Sequence, residues 1–440
     1  MKRITLGISC GDPNGVGIEV ALRAFADERL FDYFAPVLFA SAELVDVHRE
    51  ANDLLGVPIV PVPSKYRPAA VAPSETGEAH QTGEVASEVG APAPVAEHDG
   101  EAAAAVEDAP PVAAEDEAGY GDFDDNAVRV VTCWEHEPPV EFGRVSAEGG
   151  AVAKTSLEHA VAALHAGHVD VLVTAPIHKS AMQQASFGYP GHTEYLEREF
   201  GDGKSLMLMV GDDGLRVAVA TNHVPLRSVA TSISPTILQN KIALLDRSLR
   251  RDFGINRPTI AVLGLNPHAG DEGAIGTEEQ TTIRPAVEAM KARGVDVMGP
   301  YPADGFFGSA RWRSFDGVLA MYHDQGLVPF KTLAFGGGVN YTAGLRAVRT
   351  SPDHGTALDI AGKGQADAAS FVEAAFVARD VYLQRAAFDA DHADPIQVRA
   401  FDRKRRGGKG GERGGRNRRD DRPGGRQGSK GRGGRGKSGR

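Results

Sequence analysis

Three short apolar runs in this sequence end on a histidine. Val217–Thr221 leads into Asn222-His223, Thr259–Leu265 into Asn266-Pro267-His268-Ala269-Gly270, and Gly317–Tyr322 into His323-Asp324-Gln325-Gly326. Imidazole nitrogen suits zinc, cobalt and other borderline divalent ions, and three histidines with one position left open make a catalytic rather than a structural site. A lone loop histidine is more often structural or simply exposed. Three at equivalent places make His223, His268 and His323 candidate metal ligands. A second constellation is cationic. His178-Lys179 follows the run Val169–Thr174, and Gly191-His192-Thr193-Glu194 opens a helix whose free N–H groups favour an anion. Lys331, Asn340 and Arg349 flank the glycine-rich stretch Phe335-Gly336-Gly337-Gly338. Each charge alone reads as a solvated surface group. Beside the histidines they point to a small anionic substrate carrying a phosphate or a carboxylate. Asp304, in Pro302-Ala303-Asp304, is a further catalytic candidate, and equally a turn aspartate.

The elements that carry these groups follow from hydrophobic patterning. The runs are continuous rather than alternating, as expected of strands buried on both faces, which predicts a largely parallel sheet flanked by helices. Open sheets of this kind bind ligands beyond the carboxyl ends of their strands, where the histidines stand. Ile4–Ser9 reads as a strand, Gly11-Asp12-Pro13-Asn14-Gly15-Val16-Gly17 as a tight turn, and Ile18 to Phe25 as a helix. Val152–Ala166 reads as a helix with Leu157, Val161 and Leu164 on one face, stopped by Gly167. The Gly11–Gly17 turn is not the Gly-x-Gly-x-x-Gly fingerprint, and no Walker lysine follows it. Gly270 to Gly276 is a second glycine-rich stretch with no such signature, so any nucleotide binds outside a Rossmann unit.

The chain has 440 residues, 42% of them apolar, enough for one large or two medium α/β domains. Its net charge of −11 averages unlike parts. Residues 403–440 hold 16 basic and 3 acidic residues, a net of +13, in Arg-Gly-Gly repeats that read as a disordered cationic arm. Between Pro68 and Val128 there are 15 acids and no Lys or Arg. Residues 64–127, rich in Ala, Pro and acids, read as a disordered insertion. The catalytic body is expected over 1–63 and 128–400. A nucleic-acid-binding protein acting through the Arg-Gly tail is the rival of another class. Against it, residues 1–402 carry −24 and would repel a polyanion. Two cysteines, Cys10 and Cys133, exclude a disulfide framework. With neither a signal peptide nor an apolar run of membrane-spanning length, the expectation is a soluble, cytoplasmic protein with no membrane partner.

Several longer strings carry a resemblance. Gly11-Asp12-Pro13-x-Gly15-x-Gly17, Gly191-His192-Thr193-Glu194, Leu265-Asn266-Pro267-His268-Ala269-Gly270, Ala320-Met321-Tyr322-His323-Asp324-Gln325-Gly326 and Arg349-Thr350-Ser351-Pro352-Asp353-His354-Gly355-Thr356-Ala357 resemble the 4-hydroxythreonine-4-phosphate dehydrogenase family, in the same order from residue 1 to about 385. Asn14, where a small residue is common, and Gly337, where an arginine is frequent, depart from its pattern. The resemblance implies an isocitrate-dehydrogenase-like α/β/α fold, with two subdomains flanking an active-site cleft, and a homodimer with the site at the subunit interface. It further implies NAD or NADP as cofactor and one divalent ion (zinc, cobalt or magnesium) on His223, His268 and His323. His192, Thr193, Lys331, Asn340 and Arg349 become expected substrate contacts. The implied activity is oxidation of 4-phosphooxy-L-threonine on the route to pyridoxal phosphate. A same-fold dehydrogenase of threonate or erythronate 4-phosphate is the close alternative.

Overall fold

The computed structural model describes residues 3–63, 120, 125–202, 205–334 and 336–393. Met1–Ala393 makes one compact unit. The Arg-Gly arm, within Asp394–Arg440, and nearly all of the acidic segment 64–127 lie outside the described residues. Tyr120, inside that segment, is described: it is buried and packs edge-on against Phe39.

The strands, in chain order, are β1 (Ile4–Ser9), β2 (Phe34–Ala40), β3 (Ile59–Val62), β4 (Val128–Thr132), β5 (Val171–Thr174), β6 (Leu206–Val210), β7 (Arg216–Thr221), β8 (Thr259–Leu263), β9 (Asp296–Tyr301), β10 (Gly317–Tyr322), β11 (Val339–Ala343) and β12 (Arg349–Pro352). The helices are α1 (Gly17–Phe25), α2 (Ala42–Ala51), α3 (Ala147–His165), α4 (Lys179–Gln184), α5 (His192–Phe200), α6 (Val229–Ser232), α7 (Pro235–Arg251), α8 (Arg284–Ala292), α9 (Ala303–Gly308), α10 (His323–Leu333) and α11 (Ala369–His392).

All the described strands join one sheet, in the order β3-β4-β2-β1-β5-β12-β11-β6-β7-β10-β8-β9. It is largely parallel, as the continuous apolar runs predict, but the parallel pairings fall into two arms. One arm runs from β3 to β12 and the other from β7 to β9. Between them, β11 is antiparallel to both β12 and β6, and β6 is antiparallel to β7. The two arms therefore point in opposite directions. Short connections impose this reversal: only Gly211–Leu215 joins β6 to β7, and only Gly344–Val348 joins β11 to β12, too few residues for a parallel crossover.

Helices cover both faces. On one face Leu157 and Val161 of α3, Met182 of α4 and Leu196 of α5 pack against Val37, Phe39 and Leu172 of the first arm. On the same layer Phe306 of α9 and Leu327 and Phe330 of α10 cover Val217, Val219 and Ala320 of the second. The opposite face is one continuous core built from α1, α2, α7, α8 and α11. A buried network fixes α11 to it: Arg385 donates from Nε to Asp252 Oδ1 at 2.7 Å and from Nη2 to the Tyr341 hydroxyl at 2.7 Å. At Gly150 of α3 any β-carbon would strike the Ala181 carbonyl of α4, so glycine lets α4, and with it Lys179, lie close against α3.

Candidate active site

The first arm ends in a buried cation. Arg349 opens β12 in parallel register with β5, pairing with Leu172. Its guanidinium turns toward the end of β5, where the Thr174 hydroxyl accepts from Nε at 3.1 Å and from Nη2 at 2.6 Å. Nη1 donates to the Thr342 hydroxyl on β11 at 3.2 Å. Arg349 is only 3% exposed. Among the described residues no carboxylate bonds it. Burial pulls its pKa down to about 10, opposed by the field of Glu194. A desolvated guanidinium with only neutral acceptors keeps its charge for a ligand.

His192 begins α5 beside it, with Gly191 as N-cap. Arg349 Nη2 lies 3.4 Å from His192 Nδ1, a contact in which the arginine donates, which assigns the proton to Nε2. Burial, then Arg349, then Lys179, hold the His192 pKa well below its ordinary value, so the ring is neutral and presents Nε2–H. That nitrogen is shielded from solvent and has no partner among the described residues. Thr193 follows, half-buried, in the first turn of α5. Asn340 lies on β11, paired with Ser351 of β12, and its buried Oδ1 also lacks a partner. Lys331, near the end of α10, instead bonds Asp353 just past β12, Nζ to Oδ1 at 2.8 Å.

The second arm ends in histidines. His223 follows β7 and His323 starts α10 straight after β10, and their ring centroids are 5.7 Å apart because β7 and β10 are register neighbours. His323 Nδ1 donates to Asp324 Oδ1 at 2.7 Å, which leaves Nε2 as the available donor nitrogen. Burial, and then the positive field of Lys179, lower the His223 pKa, while Glu194 opposes them. His268 leaves β8 on a loop with left-handed backbone from His268 (φ 54°) to Glu272 (φ 52°). Buried Glu279 braces that loop, accepting from the backbone of Leu265 at 2.8 Å and of Asn266 at 2.7 Å. Gln325 ties the exits of β10 and β8 together, accepting from Met321 N at 2.7 Å and donating to Gly264 O at 2.6 Å. His268 and Asp304, both exposed, do not close on the other two within this chain. Among the described residues no group of three or more His, Cys, Asp or Glu stands close enough to hold an ion.

The two ends face one space. Lys179 acts on both His192 and His223, and Glu194 on both Arg349 and His223. Beyond Lys331 lies a cavity of about 360 Å³, walled by Val16, Val20, Ala357 and Ile360 and rimmed by Asp353, His354 and Asp367. An apolar cleft with a few polar groups has the make-up of a small-ligand site. The histidine pair, with one ring oriented by a carboxylate, has donor chemistry suited to a divalent ion.

Sequence reading missed Thr174, Thr342 and this cavity. Thr174 did leave a signal, as a hydroxyl closing an otherwise apolar buried strand. The departure at Asn14 proves structural: its Oδ1 accepts from Glu141 N at 2.8 Å and its Nδ2 donates to Ser146 at 3.2 Å, bracing the glycine turn.

This mixed α/β fold is shared with solved and curated dehydrogenases, which places the chain among the oxidoreductases. Within that class, residues 84–378 match the model of the pyridoxal phosphate biosynthetic protein PdxA, and the chain belongs to that family. It is 41% identical over 404 residues to 4-hydroxythreonine-4-phosphate dehydrogenase of Bacteroides thetaiotaomicron, covering 92% of this chain and 95% of that one. A solved 4-hydroxythreonine-4-phosphate dehydrogenase from Burkholderia phymatum superposes with a TM-score of 0.63 at 31% identity, over 87% of this chain and 99% of that one. The enzyme of the same name from Klebsiella pneumoniae gives 0.63 at 30% identity, over 86% and 99%. No helix among the described residues is long and apolar enough to cross a membrane.

Proposed function

We propose that the chain oxidises 4-phosphooxy-L-threonine at its C3 hydroxyl with NAD or NADP, giving 2-amino-3-oxo-4-phosphooxybutanoate. The ketone lies β to the carboxylate, so the C1–C2 bond breaks with its electron pair delocalised into the ketone. Carbon dioxide leaves, and protonation at C2 yields 3-amino-2-oxopropyl phosphate. The observation that carries this reading is Arg349: buried, bonded only to neutral partners, beside a neutral histidine with a free Nε2–H. Family membership supports the particular substrate.

In this reading His192, Thr193, Asn340 and Arg349 bind the substrate's anionic and polar groups and fix its pose. Lys331 joins them by exchanging Asp353 for substrate. His223, His268 and His323 would hold a divalent ion, with Asp304 a further polar contact. The ion would supply Lewis acidity at the hydroxyl, and the nicotinamide would accept the C3 hydride. The cavity beside Lys331 is where we place the cofactor. We place the ion site at the interface of a homodimer, since His268 stands apart within one chain and apolar Leu226, 72% exposed, lies beside His223. The Arg-Gly arm is a candidate for weak RNA binding.

The test is a panel of 4-phosphooxy-L-threonine, threonate 4-phosphate and erythronate 4-phosphate, each with NAD and NADP. Preference for the amino acid, with carbon dioxide released, supports the proposal. Preference for either sugar acid replaces it with the same-fold alternative.

A further inference from the structure

We propose that Thr174 is a positioning residue, which turns the guanidinium of Arg349 so that one chosen end meets the substrate anion. This rests on the reading of Arg349 as an anion-binding group. The guanidinium has two edges able to meet an anion in a fork, the Nε/Nη2 edge and the Nη1/Nη2 end. One hydroxyl, Thr174 Oγ1, occupies the first by accepting from Nε at 3.1 Å and from Nη2 at 2.6 Å. The Thr342 hydroxyl takes one hydrogen of Nη1 at 3.2 Å. What remains is one hydrogen on Nη1 and one on Nη2, the latter directed along the 3.4 Å contact to His192. The Nη1/Nη2 end is therefore the one beside His192, whose Nε2–H has no partner among the described residues.

The residue type matters as much as the place. A carboxylate at position 174 would orient the guanidinium equally well and would cancel its charge. A hydroxyl orients without neutralising, so the cation remains available to the ligand. Threonine is also β-branched, with few rotamers, and Thr174 is fully buried at the end of β5, so its oxygen is held in place. The neighbouring strand repeats the chemistry: Ser9 of β1 pairs in register with Thr174 and so shares its face of the sheet, and its buried Oγ has no partner.

The experiment compares Thr174→Val, Thr174→Ser and Arg349→Ala in the full-length enzyme. It reads kcat and KM with 4-phosphooxy-L-threonine, the inhibition constant of inorganic phosphate, and Tm. Thr174→Val keeps the shape and removes the acceptor. It is expected to raise KM and the phosphate inhibition constant together by about tenfold, with kcat within about twofold. Thr174→Ser, which retains the hydroxyl, should restore both to within about threefold of the natural enzyme. If Thr174→Val lowers Tm but leaves KM and phosphate inhibition unchanged, the residue is structural and the proposal fails, while the anion-binding reading survives provided Arg349→Ala still raises both. If Arg349→Ala changes neither, the reading of Arg349 and the proposal fall together. Should the valine variant not fold, the serine variant decides alone: KM and phosphate inhibition near natural values support the hydroxyl's role, and a large rise in both overturns it.

Discussion

The two arms of the sheet end in sites of opposite construction. The arm that closes on β12 builds inward: Arg349 is 3% exposed and is held by hydroxyls on β5 and β11. The arm that closes on β10 builds outward: His223, His268 and Asp304 are exposed, and only His223 and His323 approach each other. Charge chemistry explains the contrast. A lone cation can recognise an anion strongly only when water is excluded and the cation is held before the ligand arrives. A multidentate site can be left open, because the ion that binds it supplies the missing organisation. In the proposed reading one chain thus carries a finished half-site and an unfinished one.

The largest expected effect breaks the unfinished half. Chelation should abolish turnover, added zinc, cobalt or magnesium should restore part of it, and His223→Ala or His323→Ala should cut kcat/KM by at least about 100-fold. Full turnover in metal-free buffer would remove the ion from the proposal. Next comes the finished half. Arg349→Ala removes charge-assisted contacts worth about 1.5–3 kcal/mol, so the substrate KM should rise roughly tenfold to a hundredfold while the KM for NAD barely moves. A parallel rise in both would make Arg349 a residue of the cofactor or of the fold.

A third effect sharpens the comparison through acid stability. His48 lies under the glycine turn of the first arm, its Nε2 donating to the Pro13 carbonyl at 2.9 Å. Burial lowers its pKa from 6.5 to about 4. Between those values the unfolded chain binds the extra proton, so folding weakens as pH falls, by about 2 kcal/mol at pH 5. Denaturant midpoints at pH 7 and pH 5 should show this loss, and His48→Leu should flatten it. The smallest effect is a null. A chain ending near Asp402 should keep its turnover and lose only salt-sensitive RNA binding, seen as an unchanged kcat beside a flattened salt series. Collapse of turnover would give the tail a catalytic part.

Much of this was legible in the sequence, for reasons particular residues make plain. Val217–Thr221, Thr259–Leu265 and Gly317–Tyr322 are buried on both faces, so their apolar runs are continuous, and the polar residues that end them had to lie at the sheet's edge. The reversal between the arms was not, although Gly211-Asp212-Asp213-Gly214 marks the hairpin that begins it. Leu206–Val210 is as apolar as the strands of the parallel arms, because a central antiparallel strand is buried on both faces too. Thr174 was lost for a different cause: its partner Arg349 lies 175 positions away, beyond any local pattern. Lys331 was placed among the substrate contacts, and its bond to Asp353 is a matter of how α10 meets the end of β12, which spacing does not encode.

The position of β12 also bears on how the protein is made. It is the last of the described strands, yet it fills a place at the middle of the sheet, between β5 and β11. Until it arrives, β5 presents a bare parallel edge, of the kind that invites pairing with other chains. Closing that gap joins residues 175 apart, a long loop to close and a slow step for any folding chain. The ribosome must therefore release almost all of the first 349 residues before Arg349 can meet Thr174. Truncated or stalled chains would expose the β5 edge, which makes this seam the natural point of entry for chaperones and for aggregation.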